Sequence, residues 1–290
     1  QNRCFYNSES FPTIKLPMEF TENILLDIDP VEQLRAFSRN KVRLDGRGMM
    51  DHRKVVIQSS YIQSQEVVGS ALVQIGNTMV MCRVNIMVGE PSLLQPTSGD
   101  VTFCVDMCLG AIAEADAKGK SDQAFELEGL LKRTITDSNT IDLEQLCIVK
   151  GRFAYRLCIN VVCMNDGGNI KSAVVLAAMS ALRDTKLPYP VIVDGVVEVD
   201  MERQRILELN WSCVPICVCV FDDNSLIDST RAEEDVAEGE YFCVFAFPSG
   251  SILHISQHTA NPGSAWERLD ATITLCKQKA STLYSTLGWS

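Results

Sequence analysis

The sequence predicts a mixed α/β fold, because some runs of residues have the pattern of β-strands and others have the pattern of helices. The run from Tyr155 to Met164 is long, β-branched and nearly uncharged, which is typical of a buried strand. The run from Ser172 to Leu182 has the length and the small residues of a helix that packs closely on a sheet. Two apolar runs, Val67 to Ile75 and Thr78 to Ile86, flank Gly76-Asn77 and predict a β-hairpin.

Length and composition allow a sizeable core and exclude several classes of protein. The chain has 290 residues, of which 46% are hydrophobic, and this suits two packed lobes. No apolar run has the length of a membrane span, and the first residues lack the pattern of a signal peptide. We therefore expect a soluble, intracellular protein with no membrane partner. The net charge of −11 disfavours a chain that binds nucleic acid tightly by itself.

The chain divides into an extension and two lobes. Residues 1–28 contain prolines and lack periodicity, so they are predicted to be an extension that lies on the body of the protein or on a neighbour. Residues 29–190 form a first lobe that opens with a short helix over 30–39. The later part of this lobe adds a polar, glycine-containing stretch and a helix, over 113–121 and 122–135.

The second lobe, residues 191–290, consists of strands followed by a terminal helix. Its strands are predicted near Val196, Ile206, Ile216, Tyr241 and Ile252. In the helix, apolar side chains recur at alternating spacings of four and three, and the resulting stripe is expected to pack on the sheet. The stripe consists of Leu269, Ile273, Cys276, Ala280, Leu283 and Leu287.

The positions of the cysteines and histidines in the sequence predict no metal site, no cofactor and no nucleophile. Most of the 12 cysteines lie within apolar strand runs, where a reduced thiol behaves as a small hydrophobe. No Cys-x-x-Cys motif is paired with a second one or with a histidine. The histidines, His52, His254 and His258, are scattered along the chain.

A charged turn precedes the predicted hairpin. Arg43, Asp45 and Arg47 alternate around Gly46, so the Asp45 carboxylate can be held between two guanidinium groups. The alternative is a solvated turn that contributes little to stability. We interpret the turn as a structural motif at the entry to the first lobe.

The segment from Asn165 to Lys171 joins the predicted strand and helix and contains Asp-Gly-Gly. Two glycines at this junction let the backbone turn sharply and present free N–H groups at the positive end of the helix, where a phosphate would bind. The alternative is an ordinary tight turn.

Four motifs occur in an order that resembles the RNase PH family of phosphate-dependent 3′ to 5′ exoribonucleases. They are the Arg-x-Asp-Gly-Arg turn, the Gly-Ser-Ala-x-Val-x-x-Gly-Asn-Thr hairpin from Gly69, the Asp-Gly-Gly turn and the acidic stretch from Asp228 to Asp235. The resemblance covers residues 30–287 and implies a two-layer α/β (α+β) fold. In this fold, of the ribosomal protein S5 domain 2-like type, two lobes repeat a β-α-β-α arrangement and a C-terminal helix follows.

The resemblance also implies where phosphate would bind, and this sequence departs from the family there. Active members continue the Asp-Gly-Gly turn with Thr-Arg, which binds phosphate together with backbone amides, whereas Asn169 and Ile170 stand here. Isoleucine has neither a donor nor a charge. Losing one preorganised donor costs on the order of 100- to 1000-fold in rate. The alternative is that Lys171 replaces the missing arginine by a shift of one residue.

Two carboxylates and a pair of arginines complete the site in active members. Asp235 matches the first carboxylate, but the position six residues later is Tyr241, so half of the acidic pair is predicted to be missing. The arginines precede a helix similar to the segment 126–131, and Asp122 and Gln123 stand in their place. We therefore expect a protein that is not an enzyme.

Inactive RNase PH-like proteins occur in the ring of the RNA exosome, and the resemblance implies this role here. The implied partners are other RNase PH-like ring subunits, S1/KH cap subunits, a separate catalytic nuclease and RNA that passes through the ring. The implied processes are rRNA processing and mRNA turnover, in the nucleus, the nucleolus and the cytoplasm. RNA contacts are predicted at Lys118, Lys120, Lys150 and Arg152, with a solvated surface as the alternative for each. An active phosphorolytic enzyme and a stand-alone RNA-binding module are the alternative functions.

Overall fold

The fold is taken from a computed structural model, which describes residues 30–64, 66–108, 117–193, 196–221, 224–259 and 262–289. The predicted extension, residues 1–28, lies outside these ranges. The first element of the described part of the chain is helix α1 (Pro30–Arg39), at the place where the sequence predicts a short helix. Leu34 on this helix packs against buried apolar residues of the second sheet, including Phe221.

The first sheet has six strands and contains the predicted hairpin. Its strands are β1 (Val55–Ser59), β2 (Val67–Ile75), β3 (Thr78–Gly89), β4 (Asp100–Met107), β5 (Cys147–Val149) and β6 (Phe153–Asn165). The order is β1-β2-β3-β6-β4, and β5 pairs with the start of β6. Only the pairing of β4 with β6 is parallel among these described strands. Ile75 and Thr78 face each other across the turn, where Gly76 has φ of +56°.

The helix that follows β4 begins earlier than predicted. Helix α2 (Ala117–Leu131) covers the last five residues of the polar, glycine-containing stretch that precedes the predicted helix, and it continues into one π-helical turn, Lys132–Thr136. Apart from Gly119, the residues at its start are compatible with a helix, so one glycine does not prevent helix formation. A short 3-10 turn, Leu143–Leu146, leads into β5.

Helix α3 (Ile170–Asp184) lies at the centre of the molecule. Every side chain from Ser172 to Leu182 is buried, because the helix packs on β2 and β3 and also contacts the second sheet. Alanines and serines on this helix permit that close approach on several sides. The first residues of α3 thereby lie at the junction between the two sheets.

The second sheet has the order β10-β9-β11-β12, with all pairs antiparallel. Its elements are β9 (Ser212–Phe221), β10 (Asn224–Ile227), helix α4 (Arg231–Val236), β11 (Gly239–Phe247), β12 (Ser251–Thr259) and helix α5 (Pro262–Leu287). All residues of β9 are buried, since α3 and α5 both pack on this strand. On α5, Cys276, Ala280 and Leu283 of the predicted stripe are buried, so the expected packing on the sheet is confirmed.

A separate two-stranded ribbon, β7 (Lys186–Val193) with β8 (Val196–Ile206), connects the two sheets in sequence. The prediction of two strands, near Val196 and near Ile206, is wrong because both residues belong to β8. No glycine, proline or asparagine interrupts that segment, so the strand continues. The predicted lobe boundary between residues 190 and 191 falls within β7, and the division into two lobes stays a prediction.

Candidate functional site

A pocket of about 300 Å³ opens at the amino end of α3, beside the Asp-Gly-Gly turn. Residues from α2, α3, α4, β9 and β11 form its wall. They are Gln123, Glu126, Leu127, Asn169, Ile170, Lys171, Cys217, Arg231, Glu234 and Glu240. The predicted position of the site is therefore a cavity between the two sheets.

The Asp-Gly-Gly turn packs directly against the start of α4. Gly168 has φ of +93°, and a Cβ atom built on it would lie 2.4 Å from the backbone of Thr230 and Arg231. Only glycine fits this conformation and this contact. Thr78 holds the turn from the other side, because its hydroxyl accepts from Gly167 N–H (3.1 Å) and donates to the Gly168 carbonyl (2.5 Å).

Arg53 ties the turn to the segment that leads into α4. Its Nη1 donates to the Gly167 carbonyl (2.9 Å), and its Nη2 donates to the carbonyls of Gly168 (3.0 Å) and Ser229 (2.9 Å). Its Nε donates to Oδ2 of Asp228 at 2.9 Å. Because these acceptors come from two separate segments, the arginine fixes their relative position.

Asp228 is fully buried and accepts hydrogen bonds from several side chains. Besides Arg53, they are Nδ2 of Asn169 (2.7 Å) and Nη1 of Arg47 (3.1 Å). Burial raises the pKa of Asp228, but the hydrogen bonds from Arg53 and the neighbouring positive charges outweigh it, and the pKa lies well below its usual range. Asp228 is thus an ionised, buried acceptor that holds the side chains of Arg47, Arg53 and Asn169 in place.

The charged turn predicted from the sequence has more distant partners than expected. Asp45 does lie between the arginines, 2.7 Å from Arg47 Nε and 4.0 Å from Arg43 Nε. The guanidinium of Arg43, however, donates to both carboxylate oxygens of Glu233 on α4, at 2.9 and 2.7 Å. Gly46 adopts φ of +74° within the turn. The turn therefore anchors the second sheet's helix α4 to the first part of the chain.

Three acids line the pocket, and two of them, Glu234 and Glu240, each lie one residue before a position of the predicted pair. Asp235 is 58% exposed at its side chain and pairs with Arg231, while Tyr241 is 3% exposed in the core. Consecutive residues of a helix point about 100° apart, and those of a strand point to opposite faces. Neither Asp235 nor Tyr241 therefore lines the pocket, and the prediction that half of the pair is missing is corrected.

Both cationic residues that line the pocket are held by carboxylates. Lys171 Nζ lies 3.1 Å from Glu240 Oε1 and 3.7 Å from Glu126 Oε1. Burial lowers the pKa of Lys171, but the charges of Glu240 and Glu126 raise it further, so the net shift is upward. Arg231 forms ion pairs of 3.2 Å with Asp166 and with Asp235. The described pocket thus contains cations that are already neutralised.

Glu234 binds the start of α3 through its carboxylate. Its Oε1 accepts from the backbone N–H of Asn169 (2.5 Å) and from the hydroxyl of Ser229 (3.0 Å). Burial raises the pKa of Glu234 to about 7, with Asp166 and Glu240 adding to the shift, although these two hydrogen bonds oppose it. The backbone N–H of Asn169, at the end of the turn, is therefore already hydrogen-bonded to the Glu234 side chain of the same chain.

Comparison with known proteins assigns the chain to a family. The model of the 3′ exoribonuclease family, domain 1, described as RNase PH, matches residues 51–188. The exosome complex component Rrp42 of Thermococcus kodakarensis is 30% identical over 202 residues, which cover 69% of this chain and 74% of that protein. The chain belongs to the RNase PH family of 3′ exoribonucleases.

Other RNase PH relatives agree over most of the chain. The exosome complex component rrp43 of Schizosaccharomyces pombe is 27% identical over 245 residues, covering 82% of this chain and 88% of that protein. A solved Archaeoglobus fulgidus exosome with RNA bound to the active site has a subunit that superimposes with a TM-score of 0.76 at 23% identity. That alignment covers 91% of this chain and 99% of the solved one, and it confirms the RNase PH-like α+β fold with its C-terminal helix.

The remaining predicted site residues are distributed unevenly around this RNase PH pocket. Gln123, Asn169 and Ile170 line it, whereas Asp122 is exposed on α2 and is not among the lining residues. Lys150 and Arg152 are exposed at the turn between β5 and β6 and are not among the residues that line the pocket. The side chains of Lys118 and Lys120 lie outside the described part of the structure. Their proposed contacts with RNA stay predictions.

Sequence reasoning missed Glu234, Glu240 and the exact role of Lys171. The pattern that could have identified the two acids is their spacing of six residues, which equals the spacing sought from Asp235. No group of three or more histidine, cysteine or acidic residues suited to a metal ion occurs among the described residues. No described helix is long and apolar enough to cross a membrane.

Proposed function

We propose that this RNase PH protein is a non-catalytic subunit of the hexameric ring of the RNA exosome, supporting 3′ to 5′ RNA degradation and processing. Its relatives support this proposal, because several of them are named as components of that complex in archaea and in fission yeast. Within the ring we propose the position of exosome component 8. The stretches 29–37 and 220–234 and the turn at 43–47 resemble that component most, and the inactive components 7 and 9, which share much of this pattern, are the alternatives.

The non-catalytic assignment rests on one observation: the cations and the backbone N–H group of the pocket are already paired with carboxyl groups of the same chain. Orthophosphate is a multiply charged anion, and its activation requires preorganised cations or N–H groups that are free to bind it. Among the described residues, Lys171 and Arg231 are each paired with two carboxylates, and the Asn169 N–H is bound by Glu234. Glu126 and Glu240, which also line the pocket, would repel phosphate further.

The proposed partners follow from the same assignment. They are other RNase PH-like ring subunits, S1/KH cap subunits, a separate catalytic nuclease and RNA that passes through the assembled ring. The acidic net charge of −11 supports a role in which the basic surface for RNA comes largely from other subunits. The proposed location is the nucleus, including the nucleolus, and the cytoplasm.

Two measurements test the proposal. Co-expression with candidate RNase PH-like ring subunits, followed by mass determination, should give a closed hetero-oligomer that forms less completely when this chain is omitted. The purified chain, incubated with 3′-tailed RNA and inorganic phosphate, should release no nucleoside diphosphate. A release that is lost in Glu240→Gln would refute the non-catalytic assignment, because contamination by another nuclease would not respond to that substitution.

The second candidate function is an active phosphorolytic exoribonuclease with an altered site. It is favoured by the meeting of Glu234, Glu240 and Lys171 in one pocket, since a pair of carboxylates beside a cation suits proton transfer. The same assay separates the two functions, because only the enzyme requires phosphate and loses its product when either acid is replaced. A stand-alone RNA-binding module instead predicts tight, salt-sensitive binding of RNA by the isolated chain.

A further inference from the structure

The ribbon of β7 and β8 projects from the body of the protein. Its base is anchored, because the Tyr155 hydroxyl donates to the Pro188 carbonyl at 3.0 Å and Leu187 is buried. Beyond the base, the side chains of residues 189–192 and 198–199 are exposed. Two strands without a covering layer are only marginally stable in water, so this outer part of the ribbon lacks the packing that usually stabilises a sheet.

One face of the outer ribbon is apolar at every described position. Side chains of a strand alternate between the two faces, and the register places Pro190 opposite Val199 and Ile192 opposite Val197. These four side chains therefore form one contiguous apolar face. Ile192 and Val199 are 53% and 39% exposed. A contiguous exposed apolar patch is typical of a surface that binds another protein.

The opposite face of the same segment is mixed. The register places Tyr189 opposite Asp200 and Val191 opposite Glu198, so each apolar side chain of β7 has an acidic neighbour on β8. Water can solvate these carboxylates, whereas it gains nothing from contact with the apolar face. The two faces therefore differ in the kind of surface that they present to a partner.

The charge of the segment indicates the chemistry of that partner. Residues 189–200 include Asp194, Glu198 and Asp200 but no lysine or arginine. Arg203 lies 3.7 Å from Asp200 and offsets part of this charge. A second copy of this chain would be repelled, because its net charge is −11. Residues 1–28 are also acidic, with four acids and two basic residues. Complementarity favours a different chain with basic residues.

We propose that the apolar face of the ribbon is a docking surface for a different protein chain, whose contact patch has an apolar centre and lysines or arginines at its rim. The proposal rests on the proposed function, since it takes that chain from the same assembly. Docking buries Pro190, Ile192, Val197 and Val199 and supplies the covering layer that the ribbon lacks. Glu198 attracts the basic rim, because charges at an exposed surface act over about 10 Å at 0.1 M salt.

The test compares Ile192→Glu with Val191→Glu in the full-length chain. The two positions are adjacent and similarly exposed, at 53% and 44%, but they belong to opposite faces. Each variant is co-expressed with the RNase PH-like ring subunits, and the dissociation constant of the hetero-oligomer is measured by mass determination on dilution. Ile192→Glu buries a carboxylate in the apolar contact, so we expect its affinity to fall by at least about tenfold. Val191→Glu should stay within about threefold of the wild type.

A second measurement uses the wild type and so does not depend on whether a variant folds. The amide hydrogens of residues 189–200 should exchange more slowly in the hetero-oligomer than in the free chain, because docking suppresses local opening of the ribbon. Added sodium chloride should slow the association of the wild type more than that of Glu198→Gln, since that substitution removes one of the attracting charges.

Three outcomes would overturn the proposal. The first is equal dissociation constants for Ile192→Glu and Val191→Glu. The second is an exchange rate of residues 189–200 that assembly leaves unchanged. The third is a homo-oligomer of the wild type that Ile192→Glu dissociates, because the face would then bind a second copy. None of these refutes the proposed function, which fails instead if the wild type forms no hetero-oligomer or releases nucleoside diphosphate from RNA.

Discussion

The guanidinium of Arg43 and the carboxylate of Glu233 form two hydrogen bonds, of 2.9 and 2.7 Å, between residues 190 positions apart in sequence. Both residues are buried, with 4% and 7% of their surfaces exposed. The pair joins the charged turn before β1 to helix α4 of the second sheet. Since α4 carries Glu234, this ion pair also positions one wall of the pocket.

Breaking this pair should destabilise the protein strongly. Arg43→Met leaves the Glu233 carboxylate buried without its cation, and such a change typically costs about 3 to 5 kcal/mol. Urea unfolding measures the loss. The matched control is Arg156→Met, which breaks an exposed pair with Asp100 and should cost less than about 1 kcal/mol. Equal losses in the two variants would show that the buried pair has no special structural role.

Because of Asp228, the free energy of unfolding should decrease at acidic pH. Its pKa in the folded protein lies well below its ordinary value, so its contribution is present above the unfolded pKa of about 4 and is lost as pH falls toward the folded pKa. The free energy of unfolding of the wild type should therefore fall between about pH 5 and pH 2 more steeply than that of Asp228→Asn. The asparagine variant is expected to be less stable at neutral pH, because Arg53 then lacks its counter-charge. Parallel pH profiles for the two proteins would contradict the assignment of an ionised Asp228.

Glu234 should have the opposite effect on the pH profile. Its folded pKa is raised to about 7, so its contribution to stability is present below the unfolded pKa of about 4.5 and is lost as pH rises through 7. Glu234→Gln, measured against the wild type by thermal unfolding, should gain relative stability between about pH 5 and pH 8, on the order of 1 to 3 kcal/mol. Asp235→Asn serves as the control, since that side chain is 58% exposed. A stability difference between Glu234→Gln and wild type that is constant with pH would mean that Glu234 titrates normally.

Gly168 should be intolerant of any side chain. Gly168→Ala places a Cβ atom 2.4 Å from the backbone of Thr230 and Arg231 in a conformation with φ of +93°, so α4 must move away from the turn. We expect a loss of more than about 2 kcal/mol in the free energy of unfolding. Gly46→Ala is the control: its φ is +74° and no atom lies within 4 Å of the added Cβ, so only the strain of about 1 kcal/mol remains. Similar losses in both variants would show that the close approach at Gly168 is unimportant.

Most regular elements around the pocket could be predicted from local sequence. The run from Tyr155 to Met164 and the run from Ser172 to Leu182 became β6 and α3, with only a few residues added at their ends. The Gly76-Asn77 turn and the apolar stripe of α5 also agree with the structure. These predictions succeeded because periodicity and turn chemistry act over short stretches of chain.

The sequence by itself determined the mixed α/β fold, the Asp-Gly-Gly junction and the replacement of donor side chains by Asn169 and Ile170. Only the tertiary structure decided which acids face the pocket, because the rotation of α4 and the alternation of β11 select Glu234 and Glu240 over their neighbours. The pairing of Lys171 with Glu126 and Glu240 was likewise invisible in sequence. Such ion pairs join residues from separate elements, and their geometry depends on how the two sheets pack around α3, which no local pattern encodes.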